Sequence, residues 1–269
     1  MTNIDFGAIK TRQQKVWSSG SYGAVAALIH PMAEYLVDAA DLAPGSRILD
    51  VATGTGNAAL AAARCGARVT GIDYVPALLE RGRARAAAEG LAVDFAEGDA
   101  EALPYEDDAF DTVLSVVGVM FAPDQETAAA ELVRVCRPGG TIGLASWTPD
   151  GFIGELFKTV GRHVPPPAGL RPPPLWGDEE RLQELFGPAV TWLRVTRRDF
   201  VFRFATPEAL VDYFRTHYGP TLKAFEAVAD SPAEKQLYAD LVDLAARHST
   251  GDAYCRIPSS YLEAVGTTA

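Results

Sequence analysis

Three acidic residues stand at the ends of apolar, strand-like runs, and the first of them precedes a glycine-rich loop. Asp50 lies just before the loop Gly54-Thr55-Gly56, whereas Asp73 and Asp99 follow the next two runs. Carboxylates accept hydrogen bonds from amines and from the paired hydroxyls of a ribose. The glycines permit positive φ and a close approach to the backbone, and the helix that follows offers unpaired N–H groups. The pattern therefore predicts a site for a nucleoside-like ligand.

Strands and helices must alternate to bring these acids together. Between residues 46 and 146, apolar runs alternate with alanine-rich helical stretches that Pro and Gly separate. Such alternation predicts a parallel sheet with right-handed crossovers, which binds ligands beyond the carboxyl ends of its strands. Asp73 also lies near the ~20-residue offset at which an acid meets ribose hydroxyls. The predicted strands are 47–51, 68–73, 92–97, 110–117 and 141–147, with helices over 56–65, 76–89 and 124–136.

The flanking segments predict additions to this core. Trp17 and Tyr22 lie among small residues, which indicates either a segment that closes over the site or a surface loop held by its aromatic side chains. After residue 147 we predict strands over 190–204 and 253–263, and helices over 151–163, 179–186, 207–228 and 232–248. The expected fold is α/β: a doubly wound, mostly parallel seven-stranded sheet with two antiparallel edge strands, an N-terminal helical lid and helical additions near the C-terminus. We divide this one domain into a lid and helix (1–44), a ligand-binding core (45–148) and a part that completes the sheet and caps the site (149–269).

Composition excludes several classes of function. The net charge of −11 disfavours nucleic acid as a partner, because phosphate backbones are bound by Lys and Arg. The three cysteines fit no metal or disulfide pattern and predict buried thiols. Residues 1–15 lack a signal-peptide core, and no run reaches the ~18 apolar residues of a membrane span. We expect a soluble cytoplasmic protein with no metal, in which Asp107 and Asp108 form a solvated turn.

The glycine loop alone leaves two ligands open. The spacing Gly54-x-Gly56-x-x-Ala59 also fits the dinucleotide fingerprint, so an NAD-dependent oxidoreductase is the alternative. Asp50, however, would place an extra anion beside the pyrophosphate of NAD, which is unfavourable. A zwitterionic ligand with an ammonium group suits this acid better.

Five segments of the predicted core form a recognisable set. They are Leu49-Asp50-Val51-Ala52-Thr53-Gly54-Thr55-Gly56, Gly71-Ile72-Asp73, Gly98-Asp99-Ala100-Glu101-Ala102-Leu103-Pro104-Tyr105, Phe110-Asp111-Thr112-Val113 and Arg137-Pro138-Gly139-Gly140. Together they resemble the class I S-adenosylmethionine-dependent methyltransferases, and most closely the ubiquinone/menaquinone-biosynthesis branch (methyltransferase type 11). The resemblance covers roughly residues 45–148 and implies a Rossmann-like methyltransferase fold, S-adenosyl-L-methionine as cofactor and S-adenosyl-L-homocysteine as product.

The resemblance also implies roles for individual residues. Asp50 would hold the methionine ammonium, directly or through water, and Asp73 the ribose hydroxyls. Asp99 would accept from the adenine amino group, while the Ala100 N–H meets a ring nitrogen. The full set of cofactor residues implied is Tyr22, Asp50, Ala52, Gly54, Gly56, Asp73, Tyr74, Asp99, Ala100 and Val116.

The segment after the fourth strand departs from the pattern of the quinone methyltransferases. The resemblance implies a polar Gly-x-Arg-Asn motif at this place. Residues 118–124 instead contain Val119, Met120 and Phe121, which form either an apolar pocket wall or packing beneath the next helix. A quinone acceptor is therefore disfavoured, and the aromatic residues of 151–250 suggest a small, apolar or aromatic acceptor. The predicted pocket residues are Trp17, Met120, Phe121, Trp147, Trp176 and Tyr213.

Methyl transfer is an in-line displacement, so the protein must mainly align the acceptor, the methyl group and the sulfur. Some acceptors also need a general base, for which His163, His217 and Tyr218 are the candidates. Because the reaction requires no diagnostic catalytic residue, a non-catalytic S-adenosylmethionine-binding protein is a second alternative.

Overall fold

Seven strands form one sheet in the computed structural model, which describes residues 4–269. The strands are β1 (Arg47–Val51), β2 (Arg68–Asp73), β3 (Val93–Glu97), β4 (Phe110–Val116), β5 (Cys136–Trp147), β6 (Val190–Phe204) and β7 (Cys255–Thr268). Their spatial order is β3-β2-β1-β4-β5-β7-β6. Strands β1 to β5 are parallel, whereas β7 is antiparallel to both of its neighbours. The first three residues of the predicted lid segment 1–44 lie outside the described part of the chain.

Within residues 4–269, eleven α-helices accompany the sheet. They are α1 (Phe6–Trp17), α2 (Tyr22–Leu28), α3 (His30–Ala40), α4 (Asn57–Arg64), α5 (Pro76–Glu89), α6 (Gln125–Val135), α7 (Phe152–His163), α8 (Glu179–Phe186), α9 (Pro207–His217), α10 (Gly219–Ala227) and α11 (Pro232–His248). None of these helices is both long and apolar enough to cross a membrane.

The structure confirms the α/β fold class and corrects several details. β7 is not an edge strand: it lies between β5 and β6, so β6 forms the edge. The helix expected over 207–228 is two helices, because Pro220 has no N–H to donate and α10 begins afresh at Gly219. Cys65 is exposed, since it caps the C-terminal end of α4, and only Cys136 and Cys255 are buried thiols.

The centre of the sheet is apolar because helices cover both of its faces. Four of the five residues of β1 are buried, and β1 pairs with β2 on one side and β4 on the other. The alanine-rich helix α4 has only small buried side chains next to Leu60, which allows it to approach the sheet closely. The carboxyl ends of β1, β2 and β4 therefore meet at one edge, where the chain order reverses.

Candidate functional site

Asp50 lies beneath the glycine loop and ties it to α4. Its Oδ2 accepts hydrogen bonds from Thr53 Oγ1 (2.6 Å) and from the Ala59 N–H (2.9 Å). The side chain is buried, and this desolvation raises the pKa of Asp50 to about 7, although the two hydrogen bonds oppose the shift. The charge of Asp73 raises it further. Asp50 does not line the cleft described below, so it acts on a ligand there only through the loop or through water.

Asp73 closes the same loop from the neighbouring strand. Its Oδ2 accepts from the Gly54 N–H (2.8 Å) and its Oδ1 from the Val75 N–H (2.9 Å). Burial raises the pKa of Asp73 to about 6, again against the effect of its backbone hydrogen bonds. Gly54 has a φ of +57°, and a Cβ added to it would lie 3.4 Å from the Tyr22 ring. A narrow space thus remains between the loop and Tyr22.

A cleft opens at this edge of the sheet, and it brings together most of the predicted cofactor residues. Tyr22, Ala52, Asp73, Tyr74, Asp99 and Ala100 all line it, as do Trp17 and Phe121 from the predicted acceptor pocket. Val117 lines the cleft instead of the predicted Val116, because β4 ends one residue earlier than expected. The other lining residues are Lys10, Gln13, Leu78, Gly98, Gly118, Val119, Ala122 and Pro123.

Helix α1 covers this cleft through polar contacts. Lys10 Nζ donates to Asp99 Oδ2 (2.6 Å) and to Glu101 Oε2 (2.7 Å). Gln13 Nε2 donates to the carbonyl of Phe121, and Gln14 Nε2 to that of Tyr74, each at 3.0 Å. Only Trp17 of the helix is buried. Because α1 buries so little apolar surface, we expect it to open more easily than the rest of the fold.

We predict that Lys10→Met loosens this cover. A partly exposed ion pair contributes up to about 1 kcal/mol, so its loss should speed amide hydrogen exchange in α1 by up to ~5-fold. The control is Lys15→Met, an exposed residue of the same helix. Hydrogen-exchange mass spectrometry measures both variants, with α5 as the internal reference. Equal exchange in the two variants would show that the pairing with Asp99 and Glu101 does not hold α1.

A second, apolar cavity of about 20 Å³, room for about one water, shares three lining residues with the cleft. Tyr22, Val117 and Phe121 line both spaces and so stand between them. The remaining walls are Val25, Ile29, Trp147, Ile153, Phe202, Phe214 and Tyr218. Burial raises the pKa of the Tyr22 and Tyr218 hydroxyls well above their usual range, so both stay protonated at neutral pH. They can donate hydrogen bonds but cannot act as bases.

Several predicted acceptor-site residues lie elsewhere. His163 Nε2 pairs with Asp240 Oδ2 (2.8 Å), and His217 packs against the tilted ring of Tyr213 outside both cavities. Trp176 packs against Phe186 in the core, and Met120 is also fully buried away from the cavities. Of the candidate bases, only Tyr218 reaches the apolar cavity. These placements reflect helix packing that spacing along one segment does not reveal.

Comparison with known proteins finds a family model and several relatives that match this chain. Residues 48–140 match the family model described as a methyltransferase domain. An uncharacterized protein of Mycobacterium tuberculosis is 47% identical over 237 residues, which are 87% of this chain and 86% of that protein. A demethylmenaquinone methyltransferase of Deinococcus radiodurans is 39% identical over 127 residues, which are 46% of this chain and 53% of that enzyme.

Solved structures share the fold at low identity. The YcgJ protein of Bacillus subtilis has a TM-score of 0.61 and 18% identity, over 89% of this chain and 98% of its own. A geranyl diphosphate methyltransferase solved in complex with S-adenosylmethionine has a TM-score of 0.55 and 19% identity, over 89% of this chain and 85% of its own. These likenesses show that the arrangement of strands and helices is the one found in methyltransferases.

Proposed function

The chain belongs to the S-adenosylmethionine-dependent methyltransferases, and from that premise we propose that it transfers a methyl group to a small, apolar or aromatic acceptor. Its cofactor is S-adenosyl-L-methionine. The observation that carries the proposal is the direct contact between an acid-lined cleft and an apolar cavity through three shared residues, Tyr22, Val117 and Phe121.

The side chains along the cleft fit the cofactor. Asp73 retains free lone pairs beyond its two backbone hydrogen bonds and can accept from ribose hydroxyls. Asp99 is suited to the adenine amino group, and the Ala100 N–H to a ring nitrogen. Gly54 leaves space beside Tyr22 that a Cβ would fill. When bound, the cofactor supplies an electrophilic methyl group on a sulfonium.

Tyr22 and Asp50 are suited to the charged parts of this ligand. An aromatic face attracts a nearby cation by roughly 0.5–2 kcal/mol, so we assign the Tyr22 ring to the sulfonium. The buried carboxylate of Asp50 balances the methionine ammonium from beneath the loop. Both assignments extend the family's roles to residues of this chain.

The absence of charged side chains from the described walls of the apolar cavity limits the chemical class of the acceptor. These walls carry no Asp, Glu, Lys, Arg or His among the described residues. Burying a charged acceptor there would cost several kcal/mol with no partner to offset it. We therefore propose an uncharged acceptor whose nucleophilic atom needs no protein base. Because the cavity holds only about 20 Å³, its walls must move apart when this acceptor binds. The apolar residues after β4 support an acceptor other than the quinone named for the Deinococcus relative.

The same proposal extends to the organisation of the chain, its partner and its location in the cell. We propose that residues 1–44, 45–148 and 149–269 work as one unit, because α1 from the first range lines the cleft formed by the second, and the apolar cavity takes walls from all three ranges. A small-molecule acceptor is the partner, with no part for nucleic acid. The free thiols support a reducing, cytoplasmic location.

Ligand-induced stabilisation tests the cofactor first. S-adenosylhomocysteine at ~100 times its dissociation constant should stabilise the protein by about 2.7 kcal/mol, measured as a rise in Tm. NAD should give no rise. A rise with NAD alone would support an oxidoreductase instead.

Turnover tests the acceptor. We predict that neutral ring compounds are methylated at least ~10-fold faster than analogues of the same shape that carry a carboxylate, because that charge must be desolvated. The measurement is formation of S-adenosylhomocysteine with matched acceptor pairs. A preference for the carboxylated members would contradict the proposed apolar site. Cofactor binding without turnover of any acceptor would support a non-catalytic protein.

A further inference from the structure

Val117 has a backbone conformation that valine rarely adopts. Its φ is +50°, in the left-handed region, where a β-branched side chain is strongly disfavoured. It directly follows β4, and its N–H donates to the carbonyl of Ala145 on β5 (2.8 Å). A residue in this conformation is strained and persists only where its surroundings impose it.

The neighbouring strand ends impose this conformation. Ser115 Oγ donates to the Val51 carbonyl (2.7 Å) and accepts from the Val119 N–H (2.9 Å), which fastens the loop after β4 to the end of β1. Gly118 packs so closely that an added Cβ would lie 2.5 Å from the carbonyl oxygen of Ala52. Ala52 itself has a φ of +53°. The left-handed Ala52 after β1 thus packs against Gly118, the residue that follows the left-handed Val117 after β4.

The side chain of Val117 stands where the two cavities meet. It is 6% exposed and lines the cofactor cleft as well as the apolar cavity. The other two shared residues, Tyr22 and Phe121, are aromatic and come from α2 and from the segment after Val117. Val117 is therefore the only aliphatic residue among those shared by the two spaces in the described chain.

We propose that Val117 is a positioning residue for methyl transfer, and that its strained backbone is retained because it places the isopropyl group between cofactor and acceptor. This inference rests on the proposed function, since it assigns the two spaces to those two molecules. In the observed conformation, the isopropyl group would contact the methyl group that is transferred and limit the approach of the acceptor. A residue with relaxed φ at this position would direct its side chain elsewhere.

The strain is tested by paired substitutions. In a strand, glycine normally makes a protein less stable than alanine does. At position 117 the order should reverse, because glycine accepts positive φ and alanine does not. We expect Val117→Gly to melt ~2 °C or more above Val117→Ala. The matched control is Val116→Gly against Val116→Ala, one residue earlier in β4, where glycine should melt lower.

The positioning role is tested with two ligands that differ only by the transferred methyl and its charge. If Val117 contacts that methyl, Val117→Ala should weaken S-adenosylmethionine about threefold more than S-adenosylhomocysteine, measured by calorimetry. Asp99→Ala should weaken both ligands equally, because the adenine is common to them. A merely structural role for Val117 would leave the ratio of the two affinities unchanged.

The outcomes separate the inference from the function on which it rests. If neither ligand binds the wild-type protein, the proposed function fails. If both bind but the affinity ratio does not change, the function stands and the positioning role is wrong. If Val117→Gly melts below Val117→Ala, as in the control pair, the backbone is not strained and the inference is overturned.

Discussion

Replacing Asp73 by alanine is expected to abolish cofactor binding. The carboxylate ends β2, lines the cleft and accepts from the N–H groups of Gly54 and Val75. Hydrogen bonds to a charged group contribute ~1.5–3 kcal/mol each, so the loss of two from the ribose should lower affinity by roughly 100-fold or more. Calorimetric titration with S-adenosylhomocysteine measures this loss.

Two further variants separate binding from folding. Asp73→Ala also leaves the Gly54 and Val75 N–H groups without partners, which destabilises the loop itself. Asp73→Asn keeps the shape and one of the two backbone hydrogen bonds, although its amide nitrogen faces the other N–H group. It should therefore disturb the loop less than alanine does and still bind poorly. Asp94→Ala, an exposed acid on the adjacent strand β3, is the control. Affinity within threefold of wild type in a folded Asp73→Asn protein would disprove the ribose assignment.

The second large expected effect is a dependence of cofactor affinity on pH, which the titration of Asp50 produces. Burial raises the pKa of Asp50 to about 7 and that of Asp73 to about 6, from an ordinary value of 3.8. The folded state therefore binds protons that the unfolded state has already released. These two acids stabilise the unliganded fold at low pH, and that contribution declines as pH rises from about 4 to about 7.

Cofactor affinity should follow the opposite trend. The ammonium group and the ribose hydroxyls favour the ionised carboxylates, so binding below these pKa values must release protons. We expect affinity for S-adenosylhomocysteine to rise at least ~10-fold between pH 5 and pH 8 and to level off above about 7. In Asp50→Asn the rise should be smaller and should end nearer pH 6, because only Asp73 still titrates.

Calorimetry in buffers of different ionisation enthalpy measures the protons released. Asp124→Asn is a suitable control, since that acid caps α6 and does not line the cleft. A pH profile of Asp50→Asn identical to the wild-type profile would show that the ionisation of Asp50 is not coupled to ligand binding. A loss of affinity at all pH values alike would point to a structural role in the loop.

The parallel half of the fold could be predicted because local signals there agree with each other. β1, β2 and α5 have the predicted bounds, since Gly and Pro stop each element where the apolar run ends. The acids at these strand ends follow from strand direction alone. Asp73, Asp99 and Ala100 therefore lie together as predicted.

Features that depend on contacts between distant segments could not be predicted in this way. Lys10 meets Asp99 only because α1 crosses the cleft, and nothing near Lys10 in the chain indicates that crossing. The left-handed φ of Val117 breaks the rule that valine extends strands, so the predicted strand ran one residue too far. The walls of the apolar cavity come from five separate elements, α2, β5, α7, β6 and α9, together with residues that follow α2, β4 and α9.

The position of β7 between β5 and β6 also orders the assembly of the protein on the ribosome. Strands β1 to β5 can pair as they emerge, because each lies next to one already made. β5 then remains an open edge, and β6 has no partner strand until β7 has been synthesised. Such long-range pairing is slow, because a large loop must close first. The nascent chain is thus expected to hold a folded ligand-binding core (45–148) while the part that completes the sheet (149–269) is still unfolded. The β5 edge is then the segment most in need of chaperone protection during translation.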